Sequence, residues 1–193
     1  MKLRRLVVAS KNPDKILEVE AVLRGLADDV DIVRGLDWPE VEETEPTLAG
    51  NALLKARAVH LATGLAAVAD DTGLEVDSLN GAPGVFTARY SGPDATYASN
   101  VAKLLADLDG VADRTARFRT AVALVDEDGG ELVVDGTLEG RITTERRGHG
   151  GFGYDPVFEV DGVTLAEMDA GQKNQISHRA QALHALAAAL RQP

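Results

Sequence analysis

No cysteine occurs among the 193 residues, which removes disulfides, thiolate zinc sites and cysteine nucleophiles from consideration. Any metal bound here is bound through oxygen. Uninterrupted apolar stretches run for only a few residues, far short of a membrane span, and the start Met1-Lys2-Leu3-Arg4-Arg5 lacks the apolar region of an export signal. The expectation is a cytoplasmic chain that meets no membrane. Positive charge is scarce: 20 Lys and Arg stand against 31 Asp and Glu, a formal net charge of -11. Such a surface repels nucleic acid polymers, and a small anion would need its own cluster of basic residues beside glycines or a helix start. What is present is 45% hydrophobic and 26% charged with no visible linker, enough core for a single domain or one domain with two lobes.

The most informative feature is a doubled carboxylate. Asp70 and Asp71 close the apolar run Leu65-Ala66-Ala67-Val68-Ala69 and are followed by Thr72-Gly73, which puts them at the mouth of a strand. Two adjacent like charges cost electrostatic energy unless a metal, a base or a shared proton relieves them, so a hard-cation site is one reading. A solvated turn is the other.

Earlier in the chain, Leu6-Val7-Val8-Ala9 suits a buried strand, and Ser10-Lys11-Asn12-Pro13-Asp14-Lys15 leads from it into a helix. Asn12 is a good N-cap, Pro13 suits the first helical position, and Ile16, Val19, Leu23 and Leu26 share one face before Gly25 and Ala27-Asp28 loosen the pattern. Strand, turn and helix start form a geometry that can hold phosphate, with Lys11 and Lys15 adding charge; it is equally an ordinary connection with solvated lysines. A second strand, Asp31-Ile32-Val33, passes through the acidic stretch Glu40 to Pro46 into a helix from Leu48 to Ala62, capped by Thr47 and ended by Gly64. Gly50 occupies the place where a capping box needs Glu or Gln.

After Asp71, the alternation Leu74 to Leu79 reads as a separate strand, Asn80-Gly81 as a turn, and Ala82 to Gly92 as an ordered loop. Asp94 to Leu108 is helical. Arg117–Val125, Glu131–Thr137 and Gly140–Thr144 are three strand-like runs of an antiparallel meander, and Ser177 caps a terminal helix with His178, Arg179 and Gln181 in its first turns. A mixed-sheet α/β fold follows. Two familiar patterns are set aside. Gly148 to Gly153 matches G-x-G-x-x-G, but a dinucleotide fingerprint must open a helix, and Tyr154 to Phe158 reads as extended chain. Asp126-Glu127-Asp128-Gly129 imitates a phosphatase nucleophile loop, but Gly129-Gly130 and the strand after it make a hairpin turn.

Several ordered blocks together carry a resemblance: Ser10-Lys11-Asn12 with Lys15; Gly50 to Ala56; Ala69-Asp70-Asp71-Thr72-Gly73-Leu74; Gly81 to Gly84 with Ala88 to Gly92; Gly151 to Pro156; and Ser177-His178-Arg179. The sequence closely resembles the inosine triphosphate pyrophosphatase family, the house-cleaning dITP/XTP pyrophosphatases, from residue 6 to about residue 190. That resemblance implies an elongated mixed sheet flanked by helices in two lobes with a central active-site cleft, a homodimer, and Mg²⁺-dependent cleavage of a nucleoside triphosphate to monophosphate and pyrophosphate. By matching position it places the phosphate loop on Ser10, Lys11, Asn12, Pro13, Asp14 and Lys15, the helix lysine on Lys55, and the catalytic aspartate on Asp71 with Asp70 beside it. It assigns the metal to Glu43 with Asp71, Glu42 being one residue away. Thr72 falls on the substrate, and Phe152, Gly153, Tyr154, Asp155, Lys173, His178 and Arg179 fall around the base. The chain departs from the family at Ser10-Lys11, Asp14 and Gly50, which touches loop rigidity and charge but no residue given chemistry. Cationic donors suit the C6 carbonyl of hypoxanthine or xanthine and leave ATP disfavoured, while the exclusion of guanine is not legible. A Maf-type pyrophosphatase would lack the blocks at Phe152 and Ser177, and a silent nucleotide sensor would not need a water-activating carboxylate.

Overall fold

Leu6, Val7 and Val8 are buried in β1 (Arg5–Val8) of the computed structural model, which describes residues 3–26 and 30–191. The start Met1-Lys2 and the loosening at Ala27-Asp28 lie outside the described residues. The turn after β1 is built as the residue types require. Ser10 Oγ accepts the Asn12 N–H at 3.2 Å, and Asn12 Oδ1 accepts the Asp14 N–H at 3.0 Å, so Asn12 caps α1 (Pro13–Leu26). After β2 (Asp31–Val33), Thr47 caps α2 (Leu48–Thr63) through the Gly50 N–H at 3.1 Å, and Gly64 ends it with φ of 67°, where an L side chain would be strained. The missing capping-box residue has a steric reason. A Cβ at Gly50 would stand 2.7 Å from the Cβ of Glu45.

β1 pairs in parallel with β2 on one side and with β3 (Ala66–Val76) on the other. β4 (Pro83–Gly84) is a short antiparallel addition to β3, α3 (Tyr97–Asp107) follows, and β5 (Thr115–Val125), β6 (Glu131–Ile142), β7 (Phe158–Val160) and β8 (Val163–Thr164) complete an eight-stranded mixed sheet in the order β2-β1-β3-β5-β6-β7-β8. Helices α4 (Ala170–Ile176) and α5 (His178–Leu190) close the chain, with Ser177 between them.

Three expectations are corrected. Asp70-Asp71-Thr72-Gly73 is no turn: β3 runs unbroken through it for 11 residues, because both carboxylates find cationic partners and can stay buried in a strand. The runs expected at Glu131–Thr137 and Gly140–Thr144 are one strand, β6. Gly140, inside that strand, marks a close approach: a Cβ there would lie 2.5 Å from the Glu159 carbonyl oxygen and 2.7 Å from the Phe158 ring. Tyr154 to Val157 is a turn, with the Val157 N–H on the Tyr154 carbonyl at 2.9 Å, and extended chain begins only at Phe158. The G-x-G-x-x-G segment opens no helix, and Asp126 accepts the Gly130 N–H at 2.6 Å in a hairpin turn, as expected.

The chain divides into two compact units. The first takes in residues up to Asp71, Thr120–Gly136 and the segment from His178 onward; the second takes in Thr72–Arg119 and Thr137–Ser177. In the first, strand alternation supplies two cores. Leu6, Val8 and Val68 pack with Val19, Leu23, Leu183 and Leu186 of α1 and α5, whereas Val7, Ala9, Ala67 and Ala69 pack with Ala52, Ala56 and Val59 of α2. The second is built on Leu74, Val76, Leu104, Ile142, Leu165 and the Phe118–Phe158 pair, whose rings are 4.6 Å apart.

Candidate active site

The alternation that sorts the first unit's two cores also sorts the two aspartates. Along β3, Val68 faces α1 and α5 while Ala67 and Ala69 face α2, so Asp70 continues the first set and Asp71 the second. Adjacent carboxylates thereby leave the backbone in opposite directions, and each has its own counter-ions.

Asp70, with its side chain 2% exposed, receives the Lys15 ammonium at 3.2 Å and the Arg179 Nε and Nη2 groups at 3.2 and 3.1 Å, all on Oδ2. Burial alone would push the Asp70 carboxyl up, but Lys15, Arg179 and Lys55 together outweigh it and hold the group well below the usual carboxylate range. Arg179 is itself buried and spends its remaining Nη1 on Glu18 of α1. Burial lowers its guanidinium, while Asp70 and Glu18 raise it by more, so the net shift is upward. The result is a chain of alternating charge, Lys15–Asp70–Arg179–Glu18, with its middle pair buried and its ends half-buried.

On the other face, Asp71 Oδ2 receives the amide of the fully buried Asn51 at 3.3 Å, and Asp71 Oδ1 lies 3.4 Å from the Lys55 ammonium. Lys55 also donates to Glu43 at 2.7 Å. Glu43 is half-buried and its neighbour Glu42 exposed, so the geometry separates the two glutamates that the sequence leaves adjacent. One ammonium is shared by two carboxylates. Burial, reinforced by the nearby Glu43, raises the Asp71 carboxyl above its ordinary value despite Lys55 and Lys15. Lys55 is shifted the same way: burial opposes its charge, but Asp71, Glu43 and Asp70 favour it more. Two carboxylates stand together on this face, and both offer oxygen donors.

The second unit holds a different kind of cluster. Asp155 Oδ2 accepts the Lys173 ammonium at 2.6 Å and the Phe152 N–H at 2.8 Å, and that ammonium stands 4.9 Å above the centre of the Phe152 ring. Lys173 and Asp155 are buried, and the half-buried Phe152 ring meets Tyr97 of α3 at 5.8 Å with a 39° tilt. Gly151 precedes the ring with φ of 68°, and a Cβ there would collide with the Asp155 carboxylate. Burial pushes the Tyr154 phenol above its ordinary value, so it remains a neutral donor.

Of the remaining residues singled out from the sequence, Ser10 and the exposed Lys11 line an open pocket with Val8, Ile32 and Trp38, and Pro13 and Asp14 form the first turn of α1. Thr72 is half-buried in β3. His178 is buried with Nδ1 2.5 Å from the Thr120 hydroxyl, and Arg179, placed at the base by the resemblance, is held by Asp70 and Glu18. Sequence reasoning missed Glu18, Asn51 and Tyr97 as members of these clusters. Asn51 had a readable signal: it lies four residues before Lys55, on the same face of α2, with apolar residues between them.

Comparison with known proteins identifies the family. The Ham1 family matches residues 6–189, and the chain belongs to that family. A dITP/XTP pyrophosphatase of Bacillus licheniformis is 45% identical over 98% of this chain and 100% of its own length. One of Porphyromonas gingivalis is 50% identical over 94% of each. Among solved structures, a HAM1 protein from Coxiella burnetii superposes with a TM-score of 0.86 at 42% identity, covering 98% of both chains. The Staphylococcus aureus Ham1 protein gives 0.83 at 37% identity, covering 96% of this chain and 97% of its own.

Proposed function

We propose that this chain hydrolyses non-standard purine nucleoside triphosphates, ITP, dITP and XTP, to the monophosphate and pyrophosphate, and so cleanses the nucleotide pool. The observation that carries the reading is the sorting of Asp70 and Asp71 onto separate faces of β3, Asp70 against Lys15 and Arg179 and Asp71 beside Glu43 with the Lys55 ammonium between the two carboxylates. Relatives of 45–50% identity, named for this activity, support it.

In this reading Lys15 and Lys55 bind triphosphate oxygens, the backbone N–H groups at the start of α1 add a helix-end field, and Asp71 orients and deprotonates the water that attacks the α-phosphorus. The backbone and side chains of Ser10 to Asp14 shape that loop, and Thr72 borders the substrate. Magnesium is the proposed cation, held by Glu43 and Asp71. Among the described residues no group of three or more His, Cys, Asp or Glu side chains could hold a metal ion, and a pair of carboxylates fits a hard ion that takes its other ligands from water and phosphate. When bound, it supplies charge that neutralises the triphosphate. The protein's own contribution is positioning and electrostatics, with no covalent intermediate.

The base falls to the second unit's cluster, where the Phe152 ring offers a stacking face and Lys173 a donor for a C6 carbonyl. Adenine presents an amino group there, which leaves buried donors unpaired at a cost of about 1–3 kcal/mol each. Arg179 reaches a substrate only by exchanging Asp70 or Glu18 for it. A homodimer working in the cytoplasm is part of the same proposal, and no helix among the described residues is long and apolar enough to cross a membrane. Pyrophosphate release from ITP, XTP, dITP, ATP and GTP, with magnesium and with EDTA, tests it. Magnesium-dependent turnover of the first three over ATP is expected; equal turnover of ATP, or none of any nucleotide, overturns it.

A further inference from the structure

The block Gly81 to Gly92 has no role in the site as described, yet it is tied to it through one residue. Thr87, in a 3-10 turn that follows β4, uses both capacities of its hydroxyl: Oγ1 accepts the Leu74 N–H at 2.7 Å and donates to the Gly84 carbonyl at 2.6 Å. The Leu74 amide lies where β4 is too short to offer a full ladder, so the threonine side chain stands in for a strand partner. Its backbone carbonyl looks elsewhere. It accepts the Tyr154 phenol at 2.9 Å and the Asn100 amide at 3.4 Å. Asn100, 2% exposed, also donates to the Ala88 carbonyl at 3.0 Å and accepts the Ser91 N–H at 2.8 Å, which pins both ends of the turn to α3.

Tyr154 sits between Gly153 and Asp155, and Asp155 holds both the Lys173 ammonium and the Phe152 N–H. The phenol is therefore the anchor of the segment that presents the ring and the ammonium. We propose that Thr87 is a positioning residue for purine selection: its hydroxyl fixes the backbone of β3 at Leu74, its carbonyl fixes the Tyr154 phenol, and the turn between them sets where Phe152 and Lys173 stand. Threonine suits this task because valine, of the same shape, can neither donate nor accept. The proposal rests on the reading of Phe152–Asp155 and Lys173 as the base site.

The test compares wild type with Thr87→Val, Thr87→Ser and Tyr154→Phe, measuring kcat and KM for ITP and for ATP together with the melting temperature. Thr87→Val is expected to raise KM for ITP by about tenfold with a smaller change in kcat, and to narrow the ITP-to-ATP ratio of kcat/KM by a similar factor. Thr87→Ser, which keeps the hydroxyl, restores both to within about threefold of wild type. Tyr154→Phe reproduces the loss of selectivity, and the double variant adds little, because both changes release the same segment. A brace that only stabilises the fold would lower the melting temperature of Thr87→Val and leave the selectivity ratio unchanged, and that result overturns the proposal. If Thr87→Val does not fold, Tyr154→Phe with wild-type selectivity overturns it equally. A wild-type protein that hydrolyses no ITP refutes the underlying function instead, so the two failures are distinguishable.

Discussion

The charged residues of the first unit and the aromatic cluster of the second solve the same problem, a buried ionic group, in opposite ways. In the first, Lys15, Asp70, Arg179 and Glu18 alternate in charge along a chain on one face of β3, while on the other the carboxylates of Glu43 and Asp71 share the Lys55 ammonium. In the second, Lys173 and Asp155 form a closed pair at 2.6 Å with a ring beneath the ammonium. On the proposed reading the chemistry falls to Asp71 and the recognition to Phe152 and Lys173, and each variant below asks whether that division holds.

The largest effect is expected at Asp70. Asp70→Asn leaves the buried Arg179 and the partly buried Lys15 without their shared carboxylate, and loss of about 3–5 kcal/mol of stability should follow in urea unfolding. The pH dependence has a definite sign. Because the folded-state pKa of Asp70 lies below its unfolded value, its contribution is complete above the unfolded value and is lost as pH falls toward the folded one. The stability gap between wild type and Asp70→Asn should be constant above about pH 5 and narrow below about pH 4, near the ordinary aspartate pKa; a gap that widens on acidification breaks the comparison.

Lys55→Met removes the ammonium that Glu43 and Asp71 share, and kcat/KM for ITP should fall by about 10²–10³, measured as pyrophosphate release. Lys173→Met should act on the other side of the division, lowering the ITP-to-ATP selectivity by about tenfold with little change in kcat for ITP. The smallest effect is a control on the second unit. Thr96 caps α3 with Ser99 in a reciprocal pair of hydrogen bonds, so Thr96→Ala should cost about 1 kcal/mol in thermal unfolding and leave selectivity as it is.

Local chemistry made much of the fold legible. Asn12 and Pro13 announced α1, Thr47 and Gly64 bounded α2, and Asp126 to Gly130 declared its hairpin, because caps and tight turns depend on a few residues at fixed offsets. β3 was misread for the converse reason. Asp-Asp-Thr-Gly is turn chemistry in isolation, and only partners far along the chain, Lys15, Lys55 and Arg179, let it remain a buried strand. The glycine at 140 has a distant cause too, the Glu159 carbonyl and the Phe158 ring of the neighbouring strand. The family resemblance singles out Lys15, Lys55 and Asp71, and the structure sets Lys15 against Asp70 and Lys55 against Asp71. Glu18 was not, because an acidic residue on a helix surface reads as solvated until Arg179 is seen against it.

The division of labour between neighbouring carboxylates is tested most directly by Asp71→Asn, assayed for pyrophosphate release at saturating ITP and magnesium alongside its melting curve. Retention of the wild-type melting temperature with kcat lowered by about 10²–10⁴ is the predicted outcome. A variant that turns over ITP at the wild-type rate would contradict it.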